Sequence, residues 1–536
     1  MKPQPLQKGW IKQYDKRHDV TYVYKNIAYW DKEKQQSRAK REIVGRLDPE
    51  TNLVVPTRNQ IKENENAKHK DKKLNKQEEI LQFNQRFERF HFGVAYALRK
   101  IARKTRLLQN LKEVFGKERA DQILSLAQYL ILSPNNSMMH YPQWSQRQWT
   151  YTNELSSQAI SRLFQSITED DKQKFFQLNL SQHPKDRYWA YDTTSISSYS
   201  QQLSYAQYGY NKEGDNLAQI NLALLYSEKE KLPLAYRQLY GNTPDVSTIP
   251  WLLEQLRYMG AESVCLILDR GHYSYDNVKM FLQESQAFIL GGRVGIKYIQ
   301  EAIQSLEDPI QSFINYDPST KLYHKKVTLS KEFKASANSY YPTYLHIYYD
   351  ELQAGEDRIR FDHQLQEYYE ELQSGKLKKT HEQAYKRYFS QNPEGELTMN
   401  QDEIRKAQNN FGYFVLLTSE KELTSLEVLA LYRNKDVIEK SFNDLKDRLN
   451  MRRLRVHSDV SLEGKLFVQF IALYLVSYVK AQMDACELFE TYTLMSFMGT
   501  LNQFECYVDP SGEVFYGELS EKIKDLMCSL KVPIPE

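Results

Sequence analysis

The spacing of hydrophobic positions changes along the chain and divides it into regions. Up to residue 57, β-branched and aromatic residues crowd two stretches, TYVYKNIAYW and REIVGRLDPETNLVVPT, which predicts a small β unit. Residues 58–76 carry many charges and almost nothing to bury, which is typical of a linker or an exposed helix start. Residues 77–180 have apolar positions at helical spacing, for example Phe90 and Val94, and are predicted to be helical.

From residue 187 the pattern changes to short apolar runs separated by turns. Three strands are predicted first, RYWAYDTTSIS, NLAQINLALLYS and LPLAYRQLYG. A helix (STIPWLLEQLRYMG), a strand (VCLILD), a helix (YDNVKMFLQES) and a strand (AFILGG) follow. This order predicts an α/β protein with a ribonuclease-H-like core, in which helices flank a mixed sheet.

The remaining regions follow from where this pattern is interrupted. We assign 187–295 to the first part of the catalytic core, and 296–410 to an inserted subdomain that is partly β-rich and partly helical. Residues 411–480 complete the core, and 481–536 form a C-terminal helical region. The most apolar long run, Leu466 to Val479, is shorter than a membrane span and ends before Lys480, so it predicts a core helix.

One stretch, Tyr432 to Leu449, combines an apolar stripe with functional groups. At about 100° per residue, four polar side chains fall within roughly 60° of one another: Tyr432, Lys435, Glu439 and Lys446. The apolar residues lie directly beside that stripe, so a helix here would hold a carboxylate and two ammonium groups at the edge of a core. The alternative is an amphipathic surface helix with charge pairs three or four residues apart.

Charge and cysteine usage narrow the class of protein. The net charge is only +3, so any surface that binds nucleic acid must be local. Residues 99–118 carry seven Lys or Arg against two Glu, which favours a helical DNA-binding region; a bundle with a solvated charged face is the alternative. Four scattered cysteines and a polar N-terminus argue against zinc knuckles, disulfides and a signal peptide, and indicate the cytoplasm.

Two aspartates and one glutamate form the candidate catalytic set. Asp192 ends YWAYD and Asp269 ends VCLILD, and ligands gather at the ends of strands in open sheets. With Glu439 they make a trio whose mutual repulsion calls for a cation. Mg²⁺ or Mn²⁺ accepts such oxygen ligands, and two ions about 3.5–4 Å apart activate a water or a 3′-hydroxyl against a phosphodiester. The alternatives are a turn opened by Asp192 and a helix cap at Asp269.

These motifs together resemble the DDE transposases of bacterial insertion sequences. The similarity is to the branch whose last carboxylate lies in a tyrosine, arginine, glutamate, lysine signature with two, three and six intervening residues. Tyr432, Lys435, Glu439 and Lys446 have this spacing, with lysine at the usual arginine position. The segments YDTTS and LDRGHYS match the first and second aspartate motifs of the family.

The resemblance implies a function and a role for each matching residue. Asp192, Asp269 and Glu439 would hold two divalent metal ions, Mg²⁺ or Mn²⁺. Tyr432, Lys435 and Lys446 would contact phosphates near the transposon end. Apart from the resemblance, the basic residues Arg433 and Arg270 are further candidates for contacts with DNA. The enzyme would bind the terminal inverted repeats, cut the 3′ ends and join them to target DNA as a homodimer, associated with a bacterial nucleoid. The alternatives are a DNA-binding protein that has lost catalysis and a ribonuclease-H-like nuclease with other substrates.

Overall fold

The computed structural model describes most of the chain, and its secondary structure forms two compact units. The described residues are 3–32, 34–62, 87–133, 137–152, 154–182, 187–212, 214–261, 263–391, 396–456 and 458–535. Most of the predicted linker, 63–76, and the first part of the predicted helical region, 77–86, lie outside them. One unit comprises residues 1–89 and 507–516, and the other comprises 90–506 and 517–536.

The first unit contains a five-stranded antiparallel sheet. Its strands are β1 (Gln4–Pro5), β2 (Ile11–Asp15), β3 (Val20–Asp31), β4 (Gln36–Leu47) and β5 (Leu53–Val55), in the order β1-β5-β4-β3-β2. Val23, Val44 and Val54 form its buried cluster. Only one end of the long β3–β4 pair is packed against this cluster, because the other end consists of exposed residues.

The second unit begins with helices that pack around one long apolar helix. After the short strand β6 (Glu88–His91) come helices Gly93–Lys104, Leu107–Leu132, Tyr141–Ser145, Ser157–Gln165 and Glu169–Leu180. Phe115 and Phe175 contact Phe467, which lies on helix Asp459–Ala485. That helix is long and apolar enough to cross a membrane, but 83% of its most apolar window is buried inside the protein. The predicted core helix at Leu466 to Val479 is therefore confirmed.

A nine-stranded mixed sheet forms the centre of the second unit. Its members are β7 (Tyr188–Ser197), β8 (Gln219–Ser227), β9 (Leu232–Tyr240), β10 (Cys265–Leu268), β11 (Ala287–Gly291), β12 (Tyr316–Asp317), β13 (Leu322–Leu329), β14 (Thr343–Tyr349) and β17 (Tyr413–Thr418). Their order is β12-β13-β14-β17-β11-β10-β7-β8-β9. Strand β10 is parallel to both β7 and β11, and the other pairs are antiparallel.

The seven elements predicted between residues 187 and 292 are confirmed. The two helices among them are Ile249–Tyr258 and Tyr275–Gln283, and helix Lys297–Gln304 follows. Strand β10 is buried at every position, as its continuous apolar run predicts. Strand β10 lies between two parallel neighbours, β7 and β11, which hold its carboxyl end from both sides.

The segment assigned to the insertion divides between two structures. Strands β12 to β14 are hydrogen-bonded members of the central sheet, and β14 lies directly beside β17. The rest comprises helices Glu351–Ser374, Glu382–Tyr388 and Gln401–Gln408 with the hairpin β15 (Phe389–Gln391) and β16 (Leu397–Met399). These helices have their own buried cluster around Phe361 and Phe389. The β-rich residues of this segment thus extend the sheet that carries the aspartates.

The prediction of one continuous helix from Tyr432 to Leu449 is wrong. The chain forms helix Ser425–Asn434, a turn at Lys435, helix Asp436–Asn443 and a π turn over Asp444–Arg448. Asp444 is held in that turn by ion pairs of 2.7 Å with Lys480 and Arg448. The predicted apolar residues are still buried or half-buried, because the wider turn keeps their side chains facing the core.

The C-terminal segment is short and mixed. It contains helices Leu494–Leu501 and Glu521–Ser529 and the strands β18 (Glu505–Val508) and β19 (Val514–Tyr516). Thr493 and Ser520 cap the two helices, each accepting a backbone hydrogen bond from the first turn.

Candidate active site

The two aspartates lie on neighbouring parallel strands. Leu268 and Tyr191 are the last register partners of β10 and β7, and the next residue on each strand is Asp269 and Asp192. Neighbouring strands are about 4.8 Å apart, which brings the two carboxylates to one edge of the sheet. Asp269 directly follows β10, as predicted. Asp192 instead lies within β7, so the prediction that it ends its strand is wrong.

The reason for Asp192's position is the antiparallel partner of β7. Strand β8 continues the pairing past Asp192 to Ser197, where β10 has already ended. The same register excludes the alternative in which Asp192 opens a turn. The helix after the second aspartate motif is capped by Ser274, which accepts from Asn277, so the helix-cap alternative for Asp269 is also wrong.

Asp192 is a carboxyl group with little charge compensation. Burial raises its pKa to about 6, and the neighbouring Asp269 adds to the rise. Lys212, 3.9 Å away, the backbone N–H of Thr193 at 2.7 Å and Lys435 act in the opposite direction without cancelling it. The pocket around Asp192 therefore favours an additional positive charge.

Asp269 has the opposite balance. Burial raises its pKa, but the charge of Lys435, the hydroxyl of Tyr432 and the backbone N–H of Arg270 outweigh burial, so the pKa is lowered. The Tyr432 hydroxyl donates to Asp269 Oδ1 at 2.9 Å. Asp269 is consequently ionised at neutral pH, beside a second carboxyl group with a raised pKa.

Glu439, in the signature segment, lines a cleft together with Asp269. The cleft has a volume of about 840 Å³, and Asp269, Glu439 and Lys435 line it together with Arg270 and Arg293. Lys435 Nζ donates to Glu439 Oε1 at 2.9 Å, while its charge also acts on both aspartates. Burial lowers the pKa of Lys435, but these three carboxylates raise it further, so the ammonium stays protonated.

Gly291, at the end of β11, leaves room for the hydroxyl of Tyr432. A Cβ added to Gly291 would lie 2.7 Å from the Tyr432 hydroxyl and 2.9 Å from the backbone nitrogen of Arg270. Both distances are shorter than real Cβ contacts allow. Burial and the charge of Asp269 raise the pKa of Tyr432, which keeps its phenol protonated and able to donate. Tyr432 therefore acts as a fixed hydrogen-bond donor to Asp269.

The other predicted contacts are less closely grouped. Arg270 and Arg433 are exposed, and Arg270 lines the cleft. Among the described cleft residues, the signature contributes Tyr432, Lys435 and Glu439. Lys446 is buried within the π turn. The break at Lys435 and the π turn change the helical register, so the single stripe predicted for all four residues does not form.

A second group of polar residues beside Asp192 was missed by the sequence analysis. Lys212 Nζ donates to the backbone oxygen of Thr193 at 2.7 Å and lies 3.1 Å from Asp245 Oδ2. The Thr193 hydroxyl donates to Asp245 as well. Lys212 and Asp245 lie in loops that carry no recognisable motif, so only the tertiary structure brings them to the strand that holds Asp192.

His272, in the second aspartate motif, is a packed residue. It is fully buried, its ring contacts Tyr191 at 5.2 Å between centroids, and burial lowers its pKa to about 4. The ring is therefore neutral at physiological pH and supports the β7 edge by packing.

A different cluster has the spacing of metal ligands but is already neutralised. Glu367, Glu371 and His381 offer atoms within 4.8 Å of one another, the tightest such group in the described part of the chain. Lys378 Nζ lies 2.7 Å from a carboxylate oxygen of each glutamate. This cluster is an ion-pair network that connects helix Glu351–Ser374 to the following turn.

Comparison with known proteins identifies the family. The family model described as "Transposase DDE domain" matches residues 183–475, which is more than half of the chain. The chain belongs to the DDE transposase family. The matched range contains both aspartates, Glu439 and the entire nine-stranded sheet.

Two further comparisons were made for this DDE transposase. No curated protein matches the chain. A solved structure, the cryo-EM structure of a piggyBac transposase synaptic complex with hairpin DNA, is similar over 72% of this chain and 70% of that chain, with 11% sequence identity and a TM-score of 0.37. Membership of the family, shown by the model match, implies an enzyme that cleaves DNA during transposition.

Proposed function

We propose that the protein binds the terminal inverted repeats of an insertion sequence and catalyses metal-dependent strand cleavage and strand transfer. The observation that carries the proposal is the arrangement of Asp192 and Asp269 on neighbouring strands, with Glu439 lining the cleft that Asp269 also lines. Lys435 acts on all three carboxylates. The mixed sheet flanked by helices is consistent with a ribonuclease-H-like core.

The residues of the trio fit divalent metal ions. Their donors are carboxylate oxygens alone, the ligands that Mg²⁺ and Mn²⁺ prefer. The raised pKa of Asp192 beside an ionised Asp269 supports the need for more positive charge than Lys435 supplies. We infer that Asp192, Asp269 and Glu439 hold two such ions. When bound, the ions activate a water or 3′-hydroxyl and stabilise the leaving oxygen.

The chain's own groups would position the scissile strand. Tyr432 keeps Asp269 in one orientation, so this carboxylate is preorganised. Lys435 and Arg270 line the same cleft and are placed to contact phosphate oxygens. A compact ammonium, as in lysine, fits between three carboxylates without the bidentate geometry that arginine would require. We propose that Arg433 and Lys446 add DNA contacts along the same segment.

Synapsis of two transposon ends requires more than one active site on DNA. We therefore propose that the protein acts as a homodimer on DNA, with transposon-end duplex and target DNA as substrates. The strands cut at the 3′ ends would be joined to the target by direct transesterification. We propose the helices of residues 90–180, which expose Arg103 and Lys104, as a further region close to DNA.

The decisive experiment is cleavage of a labelled duplex that carries an end of the element. Wild type is expected to cut in Mg²⁺ or Mn²⁺ and to be inactive in EDTA, whereas Glu439→Gln is expected to bind equally and not cut. Glu422→Gln is a suitable control, because Glu422 is exposed and lies outside the cleft-lining residues. Binding without cleavage by wild type would favour the DNA-binding alternative, and equal cleavage by Glu439→Gln would disprove the trio.

A Tyr432→Phe substitution should lower the rate of cleavage moderately and change how that rate depends on pH. Losing the hydroxyl removes one of the groups that lower the pKa of Asp269. We expect cleavage to fall by about tenfold, because one charge-assisted hydrogen bond contributes about 1.5–3 kcal/mol. The acidic limb of the pH–rate profile should move to higher pH. An unchanged profile would show that the hydroxyl does not tune Asp269. Tyr258→Phe, at an exposed tyrosine, is the matched control.

A further inference from the structure

We propose that the free part of the β3–β4 pair, Lys25–Asp31 with Gln36–Glu42, is a two-stranded ribbon that enters the major groove of duplex DNA. The ribbon belongs to the first unit, which the sequence analysis left without a function. This inference rests on the proposed function in that the duplex would be the transposon end.

The ribbon is two-stranded because its neighbours stop before it. Strand β2 pairs with β3 only from Val20 to Tyr24, and β5 pairs with β4 only at Arg46 and Leu47. Among the residues that the structure describes, no third strand pairs with the seven residue pairs from Lys25 opposite Glu42 to Asp31 opposite Gln36. At about 3.4 Å per residue they extend roughly 24 Å.

The ribbon contributes almost nothing to the core of its unit. All its residues are exposed except the half-buried Asp31. A two-stranded hairpin without a packed face is only marginally stable in water, so burial does not account for this length. The ion pairs Lys25–Glu42 at 3.3 Å and Arg38–Asp31 at 3.4 Å brace the two strands against each other.

The charge of the ribbon favours a polyanion. The seven residue pairs of the ribbon contain four Lys or Arg against two Asp or Glu, a net charge of +2. Lys40 and Arg41 are exposed, on opposite faces, and neither forms an ion pair within the described residues. Such local positive charge is the electrostatic footprint of a surface that binds phosphates.

The exposed apolar residues favour DNA over a protein partner. Ile27 is 38% exposed, Tyr29 47% and Trp30 63%. Ile27 and Tyr29 lie on one face, opposite Lys40 and Arg38, and Trp30 lies on the other, so the apolar side chains on the first face are bordered by cations. Arg38 is the direct register partner of Tyr29. Aromatic and cationic side chains side by side suit combined contacts with base edges and backbone phosphates.

The dimensions of the ribbon agree with this partner. The major groove of B-DNA is about 12 Å wide and 8.5 Å deep, which admits a two-stranded β-ribbon. One face would meet the base edges while cations along both strands reach the phosphates on either side. Arg41 on one face and Lys40 on the other would thus approach different parts of the duplex.

The test measures binding of the full chain to two fluorescent 40-base-pair duplexes, one carrying the outermost base pairs of the element and one with that sequence scrambled. The variant K40A/R41A is compared with K16A/R17A, which removes two exposed cations from the turn between β2 and β3 of the same unit. We expect K40A/R41A to weaken binding at least tenfold and to reduce the salt slope by about 2, since each phosphate contact contributes about 0.9. We expect K16A/R17A to change affinity by less than threefold.

Each outcome separates the ribbon from the proposed function. Wild-type affinity of K40A/R41A for both duplexes would overturn the ribbon, and a loss confined to K16A/R17A would move the DNA contact to the turn between β2 and β3. If the wild type binds the two duplexes equally well, the protein does not recognise the end of the element and that part of the proposed function is wrong. The proposal that the ribbon binds DNA is then supported only if K40A/R41A binds both duplexes more weakly than the wild type. Trp30→Ala adds a check on base contacts, because it should reduce the preference for the end duplex at an unchanged salt slope. Unchanged preference in Trp30→Ala would overturn groove insertion.

Discussion

Replacing Asp269 by asparagine is expected to reduce strand cleavage by at least about 10³-fold while leaving DNA binding intact. Asp269 is held ionised by Lys435 and Tyr432 despite its burial, so asparagine keeps the shape and removes the one charge that the site is built to maintain. A loss of this size corresponds to about 4 kcal/mol of transition-state stabilisation. The measurement is single-turnover cleavage of the end duplex in Mg²⁺ and in Mn²⁺.

Asp276→Asn is the matched control for that substitution. Asp276 is exposed in the first turn of helix Tyr275–Gln283, seven residues after Asp269, and does not line the cleft. It should cut at the wild-type rate. If Asp269→Asn retained more than about a tenth of wild-type cleavage, the second aspartate motif would not supply a catalytic carboxylate, and the candidate site would be wrong.

Much of the central sheet can be predicted from local sequence patterns, because within each strand and helix the sequence pattern agrees with the burial in the structure. The run VCLIL has no polar position, its residues Cys265–Leu268 form a strand buried throughout, and Asp269 follows the strand as predicted. Leu466 to Val479 likewise forms part of a buried helix. In these segments burial, spacing and turn chemistry agree, so the sequence alone predicts them correctly.

The errors arise where tertiary contacts override the local pattern. The stretch from Tyr432 to Leu449 has ideal helical spacing, but Lys435 turns towards the carboxylates and Asp444 is drawn to Lys480. Asp192 lies inside its strand because β8 prolongs the pairing. A pattern within one segment cannot report such partners, which lie far away in the chain. Functional sites are where these conflicts are expected.

Lys435 connects the chemistry of the site to its stability. As the single buried cation between Glu439 and the aspartates in the described cleft, it stabilises Asp269 but leaves Asp192 with a raised pKa. The folded protein therefore keeps a carboxyl group in a place that disfavours its ionised form. The folded protein is therefore less stable than it would be with a neutral side chain at this position, as is common for residues that are needed for activity.

Asp192→Asn is accordingly expected to stabilise the fold while abolishing cleavage. The pKa of Asp192 is about 6 in the folded protein against an ordinary value of 3.8 for an aspartate, so the folded state binds the proton more tightly. Wild-type stability should fall as the pH rises from about 4 to about 6 and stay reduced above that range. Asparagine removes this penalty, which amounts to roughly 1–3 kcal/mol, and still accepts the hydrogen bond from Thr193.

The measurement is urea unfolding of both proteins at pH 4, 6 and 8 in EDTA, with the exposed Asp362→Asn as control. The gain for Asp192→Asn should be largest at pH 8 and small near pH 4, where Asp192 is protonated in the folded state and the pH is close to its pKa in the unfolded state. Adding Mn²⁺ at pH 8 should stabilise wild type more than Asp192→Asn, because an ion that binds the folded state shifts the equilibrium towards it. A variant less stable than wild type at pH 8 would mean that Lys212 and Lys435 already compensate this charge, and the case for a cation site at Asp192 would lose its electrostatic basis.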